Sequence, residues 1–171
     1  MSKVVEFPHK ASSDEPRLLE LGERVFLWGF RAIAQRHHCG QPTLAAMEQI
    51  YAQFHVEDAI ILIDRLVEAF GCIAHTAIGL HNPCCPCLSE SEASLLRAMA
   101  MAQSCDIRAA RWEFERWLPE LAADWVLQPA YTIGRMFQTE GLLFQLRQAP
   151  LAKPNKALDG KIWSSGSNAR H

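Results

Sequence analysis

Leu18, Leu21, Val25, Trp28 and Ala32 recur at steps of three and four residues, the spacing that puts side chains on one face of an α-helix. The same rhythm returns in nearly every segment with ordered character, and no stretch alternates convincingly with the period of a strand. A chain patterned this way buries its apolar stripes by packing helix on helix. The pattern predicts an all-α, single-domain bundle of about six helices, mostly up–down and antiparallel, with short connections. A flexible N-terminal arm is expected over 1–13, the bundle over 14–149, and a mobile, mildly basic tail over 150–171, where periodicity is lost.

Helix ends carry their own signals. The first helix is expected to open at Ser13 or Asp14 with Pro16 in its first turn, and to stop after His37, His38 and Cys39 at Gly40. A second starts near Pro42 and Thr43 and carries Leu44, Met47, Tyr51 and Phe54 on one stripe. The third, "AIILIDRLVEAFGCIAHTAIGL", is apolar on most sides and is expected at the centre of the bundle. Ser89 and Glu92 form a capping-box pattern for the fourth, and Asp106 is a plausible cap for the fifth. Pro119 and Pro129 punctuate the chain beyond the fifth helix. The last helix aligns Leu127, Ala130, Gly134, Phe137, Gly141 and Phe144, its two glycines predicting close approach to a neighbour.

Composition narrows the function classes. At 171 residues, with 49% apolar and 21% charged residues, the chain can bury a core unaided. A net charge of −2 gives no electrostatic reason to expect nucleic acid or an anionic membrane as the main partner. Ala59–Ile63, the most apolar run, is bounded by Asp58 and Asp64 and is too short to span a bilayer. The N-terminus lacks the pattern of a secretory signal, so a reducing cytoplasm is the expected compartment. There, clustered cysteines point to metal or redox chemistry rather than permanent disulfides.

The cluster is "HNPCCPC", His81–Cys87, which holds three of the six cysteines in four consecutive positions. If the first helix runs up, the second down and the third up again, the first and third end at the same pole. His37, His38 and Cys39 would then approach Cys72, His75 and the loop, while Cys105 lies at the other end. The expected metal ligands are Cys72, His75, Cys84 and Cys87, with Cys85, His81 and Cys39 as substitutes. A quartet of thiolates and imidazoles suits zinc, and four cysteines would suit an iron–sulfur cluster. Cys84 and Cys87 also form a CxxC just ahead of a capped helix, where the helix N-terminus favours thiolate. In fold class, length and this cysteine pair the chain resembles the alkylhydroperoxidase D-like family, which implies peroxide-linked thiol chemistry. It departs from that family where a histidine should follow the second cysteine, since Ser89, Glu90 and Ser91 stand there. A purely structural role, cysteine as a small buried hydrophobe, accounts for Cys72 and Cys105 better than for three thiols in one loop.

Other features weigh less. No H-E-x-x-H or Glu-x-x-His pair falls on a predicted helix. Arg108, Arg111 and Arg116 interleave with Trp112, Phe114 and Trp117, but Glu113 and Glu115 dilute their charge, so nucleic-acid binding is disfavoured. Trp112 and Trp117 are expected in the core or a subunit contact. Phe26, Trp28 and Phe30 cannot all face one core, which favours a protein interface and a homodimer. The resulting expectation is a small cytoplasmic regulatory or accessory protein with a Cys/His metal site at one end of a bundle. The alternatives are a thiol–disulfide or peroxide-related enzyme or thiol switch using Cys84 and Cys87, and a cofactor-free protein–protein adaptor.

Overall fold

The computed structural model of the chain describes residues 5–6, 19–39 and 44–146. Ser13, Asp14, Pro16, Gly40, Pro42, Thr43, the tail over 150–171 and most of the 1–13 arm lie outside them. Among the described residues the protein is an all-α bundle of six helices: α1 (Leu21–Cys39), α2 (Leu44–Ala52), α3 (Ala59–Cys72), α4 (Glu90–Gln103), α5 (Ile107–Phe114) and α6 (Glu120–Thr139). Two short segments, β1 (Val5–Glu6) and β2 (Ile78–Gly79), pair in parallel. No described helix is long and apolar enough to cross a membrane.

The local signals at the helix starts hold. The Ser89 side chain accepts from the Glu92 N–H at 3.1 Å, and the Glu92 carboxylate accepts from the Ser89 N–H at 2.8 Å, a complete capping box. Asp106 caps α5 through the Ala109 N–H at 3.1 Å. Between them Cys105 adopts a left-handed φ of 64°, which turns the chain tightly from α4 into α5.

The centre of the bundle differs from the sequence-based expectation. α3 buries one face, Ile60, Ile63, Leu66, Val67 and Phe70, and leaves Ile61 in solvent. α1 and α4 are buried on most sides instead, and each carries charged residues inward. Hydropathy alone missed this because buried arginine and glutamate lower the apparent apolarity of the two central helices. Phe26 and Phe30 are both in the core and Trp28 packs partly against it. Trp117 is buried, but Trp112 is 66% exposed and not in the core.

α6 runs through Pro129, because its buried face of Val126, Ala130, Ile133 and Phe137 continues on both sides. Gly134 is the close approach: a Cβ there would lie 2.9 Å from the Gln103 Cα. Gly141 has a different role. It sits beyond the helix at φ 72°, with the Leu142 N–H bonded to the Phe137 carbonyl (2.8 Å) and its own N–H to that of Gln138 (3.1 Å). This is the left-handed helix stop that glycine serves best. The chain then folds back so that Phe144 stacks on Phe137 and meets Phe26 edge-on. Gln103, also buried, fixes this return by donating to the Gly134 and Leu142 carbonyls and accepting from the Phe144 N–H.

Candidate functional site

The cysteine loop is pinned at both ends by buried Leu80 and Leu88. Within it the Cys85 N–H donates to the Asn82 carbonyl at 2.9 Å, closing a turn over Pro83 and Cys84. Proline suits the second position of such a turn because its φ is already set. Cys84 therefore stands at the tip and is exposed, whereas Cys85 and Cys87 are half-buried with exposed Pro86 between them. Cys85 and Cys87, two apart, thus share the half-buried side of the loop. The Cys87 N–H donates to the Cys85 sulfur at 3.4 Å, which draws these two half-buried residues together across Pro86. The neighbouring Cys85 thiol, with some help from burial, pushes the Cys87 thiol above its ordinary value.

Beneath the loop lies a buried ionic network. The Arg31 guanidinium, from α1, makes a two-pronged contact with Glu92 of α4, Nε to Oε1 at 2.7 Å and Nη2 to Oε2 at 2.8 Å. It also donates to the Cys85 carbonyl at 2.8 Å and the Cys87 carbonyl at 2.7 Å. Glu92 further accepts from the backbone N–H groups of Ser89 and His81, each at 2.8 Å, and from His81 Nδ1 at 2.9 Å. Burial by itself would raise the Glu92 pKa. The bonds from Arg31, Ser89 and His81 outweigh it and hold the carboxyl below the usual glutamate value. A buried charge pair is tolerated only when its remaining hydrogen-bonding capacity is also met, and this one meets that condition.

The other expected ligands are dispersed. Phe30 packs edge-on against Phe70, while His37 bonds Asp64 at 2.7 Å, so partner numbers in α3 fall as those in α1 rise. The two helices are antiparallel, not co-directional as the simple up–down count implies, because nine-residue α2 only bridges them. At 1.5 Å per residue this puts Cys39 roughly 16 Å along the axis from Cys72. Cys72 and His75 are both exposed. The His75 N–H ties its segment to the Trp117 carbonyl at 2.9 Å, rather than to the loop. Cys105 is exposed in the α4–α5 turn. Among the described residues no three or more His, Cys, Asp or Glu side chains are arranged to hold a metal ion, so the Cys72, His75, Cys84, Cys87 quartet is not assembled there.

Two residues central to the site carried little sequence signal. Glu92 was visible as a helix cap, and its second role as the counter-ion of Arg31 depends on a partner 61 residues away. Arg31 could have been singled out as a lone charge flanked by Phe30, Ala32 and Ile33 on an apolar helix. Two of the three arginines in and just after α5 are engaged by carboxylates: Arg111 bonds Glu120 and Asp124, and Arg116 bonds Glu113. Compared with protein-family models, curated proteins and solved structures, the chain matches none of them.

Proposed function

We propose that the protein is a thiol–disulfide exchange protein or thiol switch whose working pair is Cys85 and Cys87. The observation that carries this reading is the contact of the Cys87 N–H with the Cys85 sulfur, 3.4 Å across Pro86, with both residues half-buried and Cys84 exposed at the tip of the turn. The oxidant is an organic disulfide. The Cys85 thiolate attacks one of its sulfurs, forming a mixed disulfide and expelling the first thiolate. Cys87 then loses its proton and attacks the Cys85 sulfur, closing Cys85–Cys87 and releasing the second thiolate. Two protein thiols give up two electrons and two protons, and one disulfide becomes two thiols. A bridge closed across a single residue is strained and therefore easily reduced, which suits exchange better than a structural staple.

Oxidised glutathione is the probe. Mass mapping of the wild-type loop peptide is expected to show loss of two hydrogens within Cys85–Cys87, and Cys84→Ser should behave alike. Cys87→Ser should instead accumulate the glutathione adduct on Cys85. Closure that requires Cys84, or no closure at all, overturns the assignment. Elemental analysis of anaerobically purified protein separates this from a zinc or iron–sulfur centre at Cys72, His75, Cys84 and Cys87. Stoichiometric metal that protects Cys84 and Cys87 from alkylation favours the metal reading.

A second, cofactor-free reading as a protein-binding module or homodimer is supported by large apolar side chains left in solvent. Trp112, Leu121 and Trp125 are each about two-thirds exposed or more, and Leu121 and Trp125 share a helix face. Sedimentation of the wild type as a dimer, and of Trp125→Ser as a monomer, is the expected result on that reading. A wild-type monomer removes its homodimer form.

A further inference from the structure

Building on Cys85 and Cys87 as the exchanging pair, we infer that Arg31 is its positioning residue. Arg31 holds the reduced loop open and thereby links the redox state of the thiols to the α1–α4 contact. One guanidinium bonds the carbonyls of both thiol-bearing residues and spends its two remaining contacts on Glu92. Its position is not adjustable, because the Arg31 side chain is 4% exposed and that of Glu92 is fully buried. Glu92 is in turn locked to Ser89 and His81. The two carbonyls are thus fixed to a rigid post.

Disulfide closure works against that post. The Cys85 and Cys87 carbonyls both reach Arg31, as carbonyls two residues apart do along an extended chain. On such a path their Cα atoms lie at the upper limit of what a disulfide spans, so closure draws them together by roughly 1 Å. That contraction turns at least one carbonyl away from Arg31. The contacts of Arg31 with the loop are therefore stronger in the dithiol than in the disulfide, and only such a difference can shift the equilibrium between them. Coupling runs both ways: Arg31 disfavours oxidation, and oxidation loosens the grip of Arg31 on the loop.

The matched control lies in the same bundle. Arg97 is also buried and also holds a glutamate, Glu113, through Nε at 2.9 Å and Nη2 at 3.1 Å, but its remaining bond is to Ser94 rather than to the cysteine loop. In full-length protein equilibrated with mixtures of reduced and oxidised glutathione, Arg31→Lys keeps a charge opposite Glu92 and loses the fork. It is expected to raise the equilibrium constant for Cys85–Cys87 closure roughly tenfold, a potential about 30 mV more negative. Arg97→Lys is expected to leave it unchanged. Equal shifts in both variants, or none in Arg31→Lys, overturn the positioning role while leaving the exchange reading intact. Failure of the wild type to close the bridge sinks the exchange reading itself. If Arg31→Lys does not fold, the wild type still decides the matter: hydrogen exchange at the Arg31 Nη groups that bond the loop carbonyls should quicken on oxidation, and equal protection in both states contradicts the inference.

Discussion

Glu92→Ala is expected to lower the unfolding free energy by about 3–5 kcal/mol, a range set by buried ion pairs that lose one partner. For a domain whose whole stability is about 5–15 kcal/mol, that is enough to populate the unfolded state. The size follows from what is stranded. Arg31 is almost completely buried, so its charge would remain in the interior with only two carbonyls to face. The N–H groups of His81 and Ser89 lose their acceptor, and α4 loses half of its capping box. Denaturant titration reads the loss directly. By contrast, Arg111→Ala removes contacts to Glu120 and Asp124 at an exposed site, where solvent screens them, and should barely move the midpoint. Similar midpoints for the two variants would show that the network under the loop is not what holds α1 to α4.

The same carboxylate gives an acid signature. Its pKa is lower in the folded protein than the ordinary glutamate value of 4.5. Its contribution is therefore complete above that ordinary value and is lost as pH falls through the depressed folded value. Glu92→Gln should flatten this part of the acid limb. Cys87 has the opposite sign: with its thiol pKa raised, the contribution is present below the ordinary thiol value and fades as pH rises through the folded one. Alkylation of Cys87 should accordingly need a higher pH than that of a free thiol.

How far the sequence could be read depended on the range of each interaction. The caps at Ser89 and Asp106 involve residues three apart, and both are present as expected. The helical class followed from periodicity for the same reason. The direction of α3 relative to α1 was not legible, because it turns on whether α2 counts as a full bundle member, and its nine residues make it a bridge. The cysteine loop turns on local geometry that spacing does not convey. A CxxC reading pairs Cys84 with Cys87; the Pro83 turn leaves Cys84 exposed at its tip, and the contact of the Cys87 N–H with the Cys85 sulfur is not encoded by that spacing. The link between Arg31 and Glu92 spans 61 residues, and no local pattern encodes it.

Gly29→Ala is expected to cost about 3 kcal/mol or more, at or beyond the usual range for overpacking, through a single added methyl. A Cβ on Gly29 would fall 2.0 Å from the Tyr51 hydroxyl oxygen and 2.9 Å from its Cζ. The phenol cannot simply swing aside. Tyr51 is fully buried, its hydroxyl donates to the Val25 carbonyl at 3.1 Å, and its ring meets Phe137 edge-on. Burial also pushes its pKa upward, so it stays a neutral donor and cannot leave as phenolate. Gly29 is thus the gap in α1 through which α2 docks. Tyr51→Phe alone should cost about 1 kcal/mol for the lost hydrogen bond. In the Gly29→Ala background it should recover part of the stability, because the worst overlap is with the oxygen, and that departure from additivity measures the contact. Gly71 supplies the reverse case within a helix. An added Cβ there meets nothing within 4 Å, so Gly71→Ala should stabilise the protein by about 0.5–1 kcal/mol through helix propensity alone. Thermal midpoints that move in opposite directions for the two variants confirm the docking gap; a tolerated Gly29→Ala would mean that α2 can withdraw from α1 without loss.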